Sequence, residues 1–402
     1  MGDGDGSRRK AGSATTVLIV VGGLLVVLVG IAAAHLLPLY STWRREMRIA
    51  GELRAKGWEV RTERVSRPEW SEFLGERYGA LYERIVGILA GVEATDADLD
   101  QLPTLPDLKG LSLFGAKVTD AGLVHLRKMA NLEGLTLEHT AIGDLGLEQV
   151  GLLTSLRGLH LGNTQVTDAG LVHLKGLTRL EWLNLGSTKV SDAGLAHLAP
   201  LVNLRELQLF DTPVTDAGIE HLKVLGRLDS LNLGGTRVTD AGLKHLGVLS
   251  NLGQLSLEGT LITDAGLEHL KGIRLLRVLH LSGTQVGDAG LAHLKALPGL
   301  RAVWLNRTQV TDAGLEYLGS IGSLGMVRAV GTRAGDEGIG HLLGLPKLTT
   351  LDLAKTQVTD AGLERLKASS AKHLWINVRG TRVTDKGVEE LKRARPLFTI
   401  NK

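Results

Sequence analysis

Apolar positions recur along most of this chain in one fixed order. In the copy spanning 180–203, Leu180, Leu183 and Leu185 come first, Val190 follows a short polar turn, and Leu195, Leu198 and Leu201 close the unit. The alternation of Leu183 and Leu185 with polar neighbours predicts a short strand whose leucines face inward. The spacing i, i+3, i+6 of the last three leucines predicts one face of a short helix. Each unit therefore reads as strand, turn and helix, with seven apolar side chains directed to one interior. A unit this small cannot bury its apolar face alone, so neighbouring units must stack.

The period is fixed by Val118-Thr119-Asp120-Ala121-Gly122-Leu123, which returns at Val166–Leu171, Val214–Ile219, Val238–Leu243, Ile262–Leu267, Val310–Leu315 and Val358–Leu363. Its aspartate recurs every 24 residues from Asp96 to Asp360, and a last copy, Asp385, follows after 25. The residue before it is Thr, Ser or Gly, as at Thr119, Gly143, Ser191, Gly287, Gly335 and Thr384. Such residues cap helix N-termini, and an acidic first turn suits the helix dipole. A second column holds Thr140, Thr164, Thr188 and their successors to Thr381. Buried hydroxyls need partners, and a ladder to the turn backbone of neighbouring coils is the expected one. Asp96-Ala97-Asp98-Leu99-Asp100 has the look of a calcium loop, but the glycine turn and the closing glutamate are missing, so it reads as a degenerate first copy. Around Val327–Asp336, Ala329, Ala334 and Gly335 replace larger core and cap residues, which marks this coil as the array's weakest.

The pattern changes at the amino-terminal end. Arg8, Arg9 and Lys10 precede an uncharged apolar run from Val17 to Ala34, extended by Leu36 and Leu37. Its length is that of a spanning helix, and it lacks the polar stripe of a buried soluble one. A tail over 1–15, a transmembrane helix or signal anchor over 16–37 and a juxtamembrane helical cap region over 38–83 are expected. The solenoid then runs over 84–392 in about thirteen repeats, and 393–402 form a carboxyl-terminal cap closed by Leu397, Phe398 and Ile400. Ala32-Ala33-Ala34 fits a signal cleavage site, whereas the long apolar run and Leu36, Leu37 and Leu39 favour an uncleaved anchor. Arg44, Arg45, Arg48, Arg54 and Lys56 would hold the carboxyl side in the cytoplasm; the charged tail argues the reverse, and an extracytoplasmic solenoid is the expectation. Ser41–Lys56 reads as a helix, Gly57–Arg61 as a strand, and Glu69–Ala90 as a helix followed by an apolar strand at Ile85–Leu89.

These residues resemble the leucine-rich repeat family, specifically its T-D-A-G-L type within the ribonuclease-inhibitor-like superfamily. The likeness covers about Ile85 to Ile400. Trp70-Ser71-Glu72-Phe73-Leu74-Gly75-Glu76 is similar to the lead-in of planctomycete membrane-linked versions. The resemblance implies an α/β leucine-rich repeat solenoid, a right-handed β/α horseshoe that binds other macromolecules. F-box substrate adaptors share the type more loosely, but no F-box-like segment precedes the repeats.

Composition narrows the functional classes. A net charge of +3 on 402 residues argues against nucleic acid as the partner, and with no cysteine there is no disulfide or thiolate metal site. No P-loop, H-E-x-x-H, G-x-S-x-G or dinucleotide fingerprint occurs, so no enzyme, catalytic residue or cofactor is expected. His125, His173, His197, His221, His245, His269, His293 and His341 share one column. Stacked, they could bind metal, but a half-buried imidazole flanked by core leucines needs no such role, and no metal site is expected.

What varies between copies lies between and just after the strand leucines. His160, Trp182, Asn184, Glu206, Gln208, Phe210 and Asp211 form one cluster of unusual residues; Val278, His280, Trp304, Asn306, Arg307, Met326 and Arg328 form another. Exposed tryptophan and arginine on a rigid sheet are what protein interfaces use as anchors. The chain thus reads as a membrane-anchored, single-pass protein binding a protein partner on the concave sheet face. The rival reading is a structural or glycan-binding envelope component in which the tryptophans stack on sugar rings.

Overall fold

The computed structural model describes residues 33, 34, 36–64 and 81–402, which fall into two compact units, 1–89 and 90–402. Most of the 16–37 stretch, and the 69–80 segment read as helical, lie outside the described residues. Among the described residues no helix is long and apolar enough to cross a membrane.

In the first unit the chain is helical over 36–55 and buries Ile49, Ala50 and Leu53 together with Trp58. The strand Glu59–Arg64 pairs antiparallel with Glu83–Leu89 through an irregularity at Arg61/Thr62. Glu46 ties helix to strand, its Oε2 accepting from the Ile85 amide at 2.9 Å.

The second unit is a repeat solenoid of α/β class. Thirteen short strands, from Gly110–Ser112 to Phe398–Asn401, stack parallel in chain order. Register is strict, Leu183 facing Leu207 and Leu207 facing Leu231. The inward leucines of strand and helix are buried almost without exception, as Leu183, Leu185, Val190, Leu195, Leu198 and Leu201 show in the type copy. The helical part is one turn of α-helix, Asp192–Leu195, running on into a 3-10 turn, Ala196–Leu198. A length of 24 residues leaves room for little more.

The aspartates do more than favour the helix dipole. Asp216 Oδ1 accepts from the Thr239 amide at 2.7 Å, and its Oδ2 accepts from the Thr239 hydroxyl at 2.6 Å. The same Thr239 oxygen accepts from the Ala241 amide of its own helix. Thr239 thus caps one coil while bonding the carboxylate of the coil before it; the carboxylate bonds recur from Asp96–Thr119 to Asp360–Thr384, whereas Ser191 and Thr263 make them without the cap bond. Where glycine replaces threonine, at Gly143, Gly287 and Gly335, only the amide bond is made. The glycine of the motif follows from the same contact. A Cβ on Gly242 would lie 2.5 Å from Asp216 Oδ1 and 3.0 Å from a Val238 methyl. Aspartate and glycine in T-D-A-G-L are therefore one cross-coil joint written 26 positions apart.

Two expectations are corrected. The buried threonine hydroxyls do not reach neighbouring coils: Thr188 donates to Leu185 O at 2.6 Å, three residues back in its own turn, and every copy from Thr140 to Thr381 does the same. The turn carbonyl is simply the nearest acceptor. Leu397 does not close the carboxyl-terminal core but stands 61% exposed; Phe398 is buried, with the Arg395 guanidinium 4.4 Å from its ring centroid.

Candidate functional site

With scaffold columns pointing inward, the first and third residues of each strand point to the opposite face of the sheet, and this face changes from coil to coil. Along the third positions run Ser112, Thr136, His160, Asn184, Gln208, Asn232, Ser256, His280, Trp304, Arg328, Asp352 and Asn377. Period-2 geometry and the parallel register align them as one row.

The structure brings the first cluster onto three adjacent strands. Trp182 is 38% exposed, with the Arg157 guanidinium 5.9 Å from its ring centroid. Beside it are Glu206 and Gln208, the Gln208 amide donating to Glu206 Oε1 at 2.9 Å. Asn184 is the exception. It is buried, its amide donating to Glu138 Oε1 at 2.5 Å and its Oδ1 accepting from the Gly186 amide at 2.9 Å. Its side chain is consumed in fixing the turn, so it is a support and not a contact surface. Phe210 lies over Gly186, where any side chain would collide with the ring. Asp211 is exposed and holds a left-handed backbone at φ 52°. His160, half-buried, faces Asn184 in register.

The second cluster is also assembled. His280 and Trp304 stack at 3.9 Å between ring centroids and 12° between planes. Arg328 follows in register after Trp304. Asn306 Oδ1 accepts from the Val330 amide at 3.0 Å. Arg307 is exposed at φ 56°, a position that glycine takes in other coils at Gly235, Gly259 and Gly283. A non-glycine residue in this region costs about 1–2 kcal/mol, and His139, Asn163, Ser187 and Lys355 hold the same backbone in other coils.

Burial lowers the pKa of His280, the Glu258 carboxylate pulls it up and Arg328 pushes it down. The unfolded chain then binds a proton that the folded one refuses, so stability falls as pH drops below about 6.5, the ordinary histidine value. An NMR titration of His280 is expected to give a midpoint below that value, lowered further by Glu258→Gln. A midpoint at or above it would contradict the stacked, half-buried placement.

One further group lies outside the two clusters, at the edge where the strands begin. The residue just before each strand reads, at 24-residue spacing, Arg157, Glu181, Arg205, Asp229, Gly253, Arg277 and Arg301. Arg157 meets Glu181 at 2.5 Å, Arg205 meets the same carboxylate at 3.4 Å, and Arg277 reaches Asp229 at 3.2 Å. Of this column Arg205, Asp229 and Arg277 line, with Trp182 and Arg227, a cavity of about 780 Å³. The histidine column lies elsewhere, on the helical part of the coils, half-buried to exposed. Among the described residues no group of three or more His, Cys, Asp or Glu side chains is placed to hold a metal ion.

Comparison with known proteins agrees with this architecture. A family model described as Leucine Rich repeat matches residues 273–294 and 344–367. Among solved structures, the chain is similar to an internalin from Listeria monocytogenes, with 20% identity, 76% of this chain and 88% of that one covered, and a TM-score of 0.57. It is also similar to a leucine-rich repeat protein of Leptospira interrogans, with 18% identity, 75% and 81% coverage, and a TM-score of 0.52. At such identities the likeness is one of fold. No curated protein matches the chain.

Proposed function

We propose that this leucine-rich repeat chain is a binding protein that holds a protein partner on the helix-free face of its sheet, and that the apolar run at 16–37 anchors it in a membrane as a single-pass, extracytoplasmic array. The observation that carries the first part is the segregation of columns. Inward residues are uniform and buried; those facing away change from coil to coil and include Trp182, Trp304 and Arg328. A rigid sheet presenting aromatic and arginine side chains loses little conformational entropy on binding, which is how interface anchors gain their effect. Membrane anchoring is supported by 18 uncharged residues from Val17 to Ala34.

The test compares crosslinked partner recovered from cells carrying the native chain or Trp182→Ala. An interface anchor is worth about 2 kcal/mol or more, so recovery is expected to fall by at least about tenfold while the urea unfolding midpoint stays put. Undiminished recovery would contradict the reading. Retention of the native chain on polysaccharide, lost with Trp182→Ala, would favour a glycan-binding envelope component. Fractionation of intact cells with protease protection checks the anchor and its orientation.

A further inference from the structure

We propose that the edge of the sheet where the strands begin, from Arg157 to Arg277, is the docking site for an acidic segment of the partner, whose carboxylates are taken by Arg179 and Arg227. This rests on the reading that the partner is a protein held on this side of the solenoid, and it names the chemistry that partner must carry.

Positive charge at this edge is unmatched. Two adjoining cavities, of about 780 and 320 Å³, share Arg205 and Arg227 in their walls. Together they are lined by five arginines (157, 179, 205, 227 and 277) against three carboxylates, those of Glu181, Glu206 and Asp229. Two of the three carboxylates are already paired with arginines. Glu181, only 18% exposed, is shared between Arg157 and Arg205. Asp229 holds Arg277 across an intervening coil, which is feasible because the residue between them is Gly253: a Cβ there would lie 2.6 Å from Asp229 Oδ1 and 2.9 Å from Arg277 Nη2. Glu206 accepts from the neutral Gln208 amide and keeps its charge, yet the five guanidinium groups still outnumber the three carboxylates. Among the described residues no ion pair reaches the outermost column, which reads Arg179, Asn203, Arg227, Asn251. Arg227 donates to Asn203 Oδ1 at 2.7 Å, a neutral acceptor that orients the guanidinium without neutralising it. Both side chains are exposed, with their forked donors available for bidentate bonding to a carboxylate.

The rest of the lining selects a peptide among anions. Trp182 closes one end of the larger cavity and Leu275, 55% exposed, lies at the other. An acidic peptide can place apolar side chains on both while its carboxylates meet the arginines. A sulfated sugar or nucleic-acid backbone would leave Leu275 against charge. A cavity of this volume, open along the sheet edge, has room for several side chains.

The experiment is fluorescence anisotropy with the full chain in detergent and a short labelled peptide alternating glutamate and leucine. Controls are the same peptide with glutamine for glutamate and a sulfated oligosaccharide. The glutamate peptide is expected to bind and to weaken as salt screens the charges; the glutamine peptide is expected not to bind. Arg179→Glu with Arg227→Glu should reduce affinity at least tenfold, and Arg179→Gln with Arg227→Gln should reduce it less, in the same direction. Unchanged affinity in either double variant, or tighter binding of the sulfated sugar than of the peptide, overturns the proposal. Its failure is separable from that of the broader reading. If Trp182→Ala still abolishes partner recovery while the arginine variants bind normally, the face is right and the acidic partner is wrong.

Discussion

Replacing Asp216 by alanine is expected to lower the unfolding free energy of the array by about 2–4 kcal/mol. The carboxylate accepts from both the amide and the hydroxyl of Thr239 in the next coil. Hydrogen bonds to charged groups are each worth about 1.5–3 kcal/mol, less where water can replace them, as it can at this half-buried site. Gly242→Ala should cost about 1–3 kcal/mol by overpacking, because its new methyl would meet Asp216 Oδ1 at 2.5 Å. The two losses should not add. With the carboxylate gone the 2.5 Å clash is relieved and only the Val238 methyl at 3.0 Å must give way slightly, which alanine's better helix propensity offsets. The double variant is therefore expected to be no less stable than Asp216→Ala alone, a coupling of about 1–3 kcal/mol measurable by urea unfolding in a double-mutant cycle. Strict additivity would show that the two positions do not form one joint.

Leu207→Ala should cost about 2–5 kcal/mol, since the side chain is fully buried between Leu183 and Leu231 and its loss leaves a cavity that strict register prevents from collapsing. Gln208→Ala, one residue on but facing the other way, should stay within about 0.5 kcal/mol of the native chain. Because core packing runs between adjacent coils, the damage should be local. Hydrogen exchange should speed up in the coils around 183–231 and leave those near 303–351 as they were. A uniform response along the array would contradict quasi-one-dimensional stacking.

The scaffold was legible in the sequence because its physics is periodic. Leu183, Leu185 and Leu198 recur with the unit and are buried as the alternation and helical spacing require. The cap residues were legible for the same reason. What the sequence could not show was where a repeated polar group finds its partner. Thr188 has a carbonyl three residues away and one a coil away, and spacing alone does not choose between them; distance does, and the nearer one wins. Asp216 was read as a local helix-start residue because its bonding partners sit 23 residues further on, invisible until the coils are stacked. Asn184 reads as an outward residue by alternation, but a neighbouring Glu138 and the turn at Gly186 draw it into the structure. The arginine edge has its own signal, the 24-residue column Arg157, Glu181, Arg205, Asp229, Gly253, Arg277, in which Glu181 pairs with Arg157 and Arg205, and Asp229 with Arg277.

Partners are expected to meet this chain on the helix-free face and not on its helical side. A photoreactive benzophenone side chain installed at Gln208 or Ser230, both in strands on the outward face, can be compared with one at Glu220 or Lys244, both exposed on the helices. On irradiation in intact cells, protein adducts are expected from Gln208 and Ser230 and not from the helical positions. Adducts from Glu220 and Lys244, with none from the sheet, would contradict it.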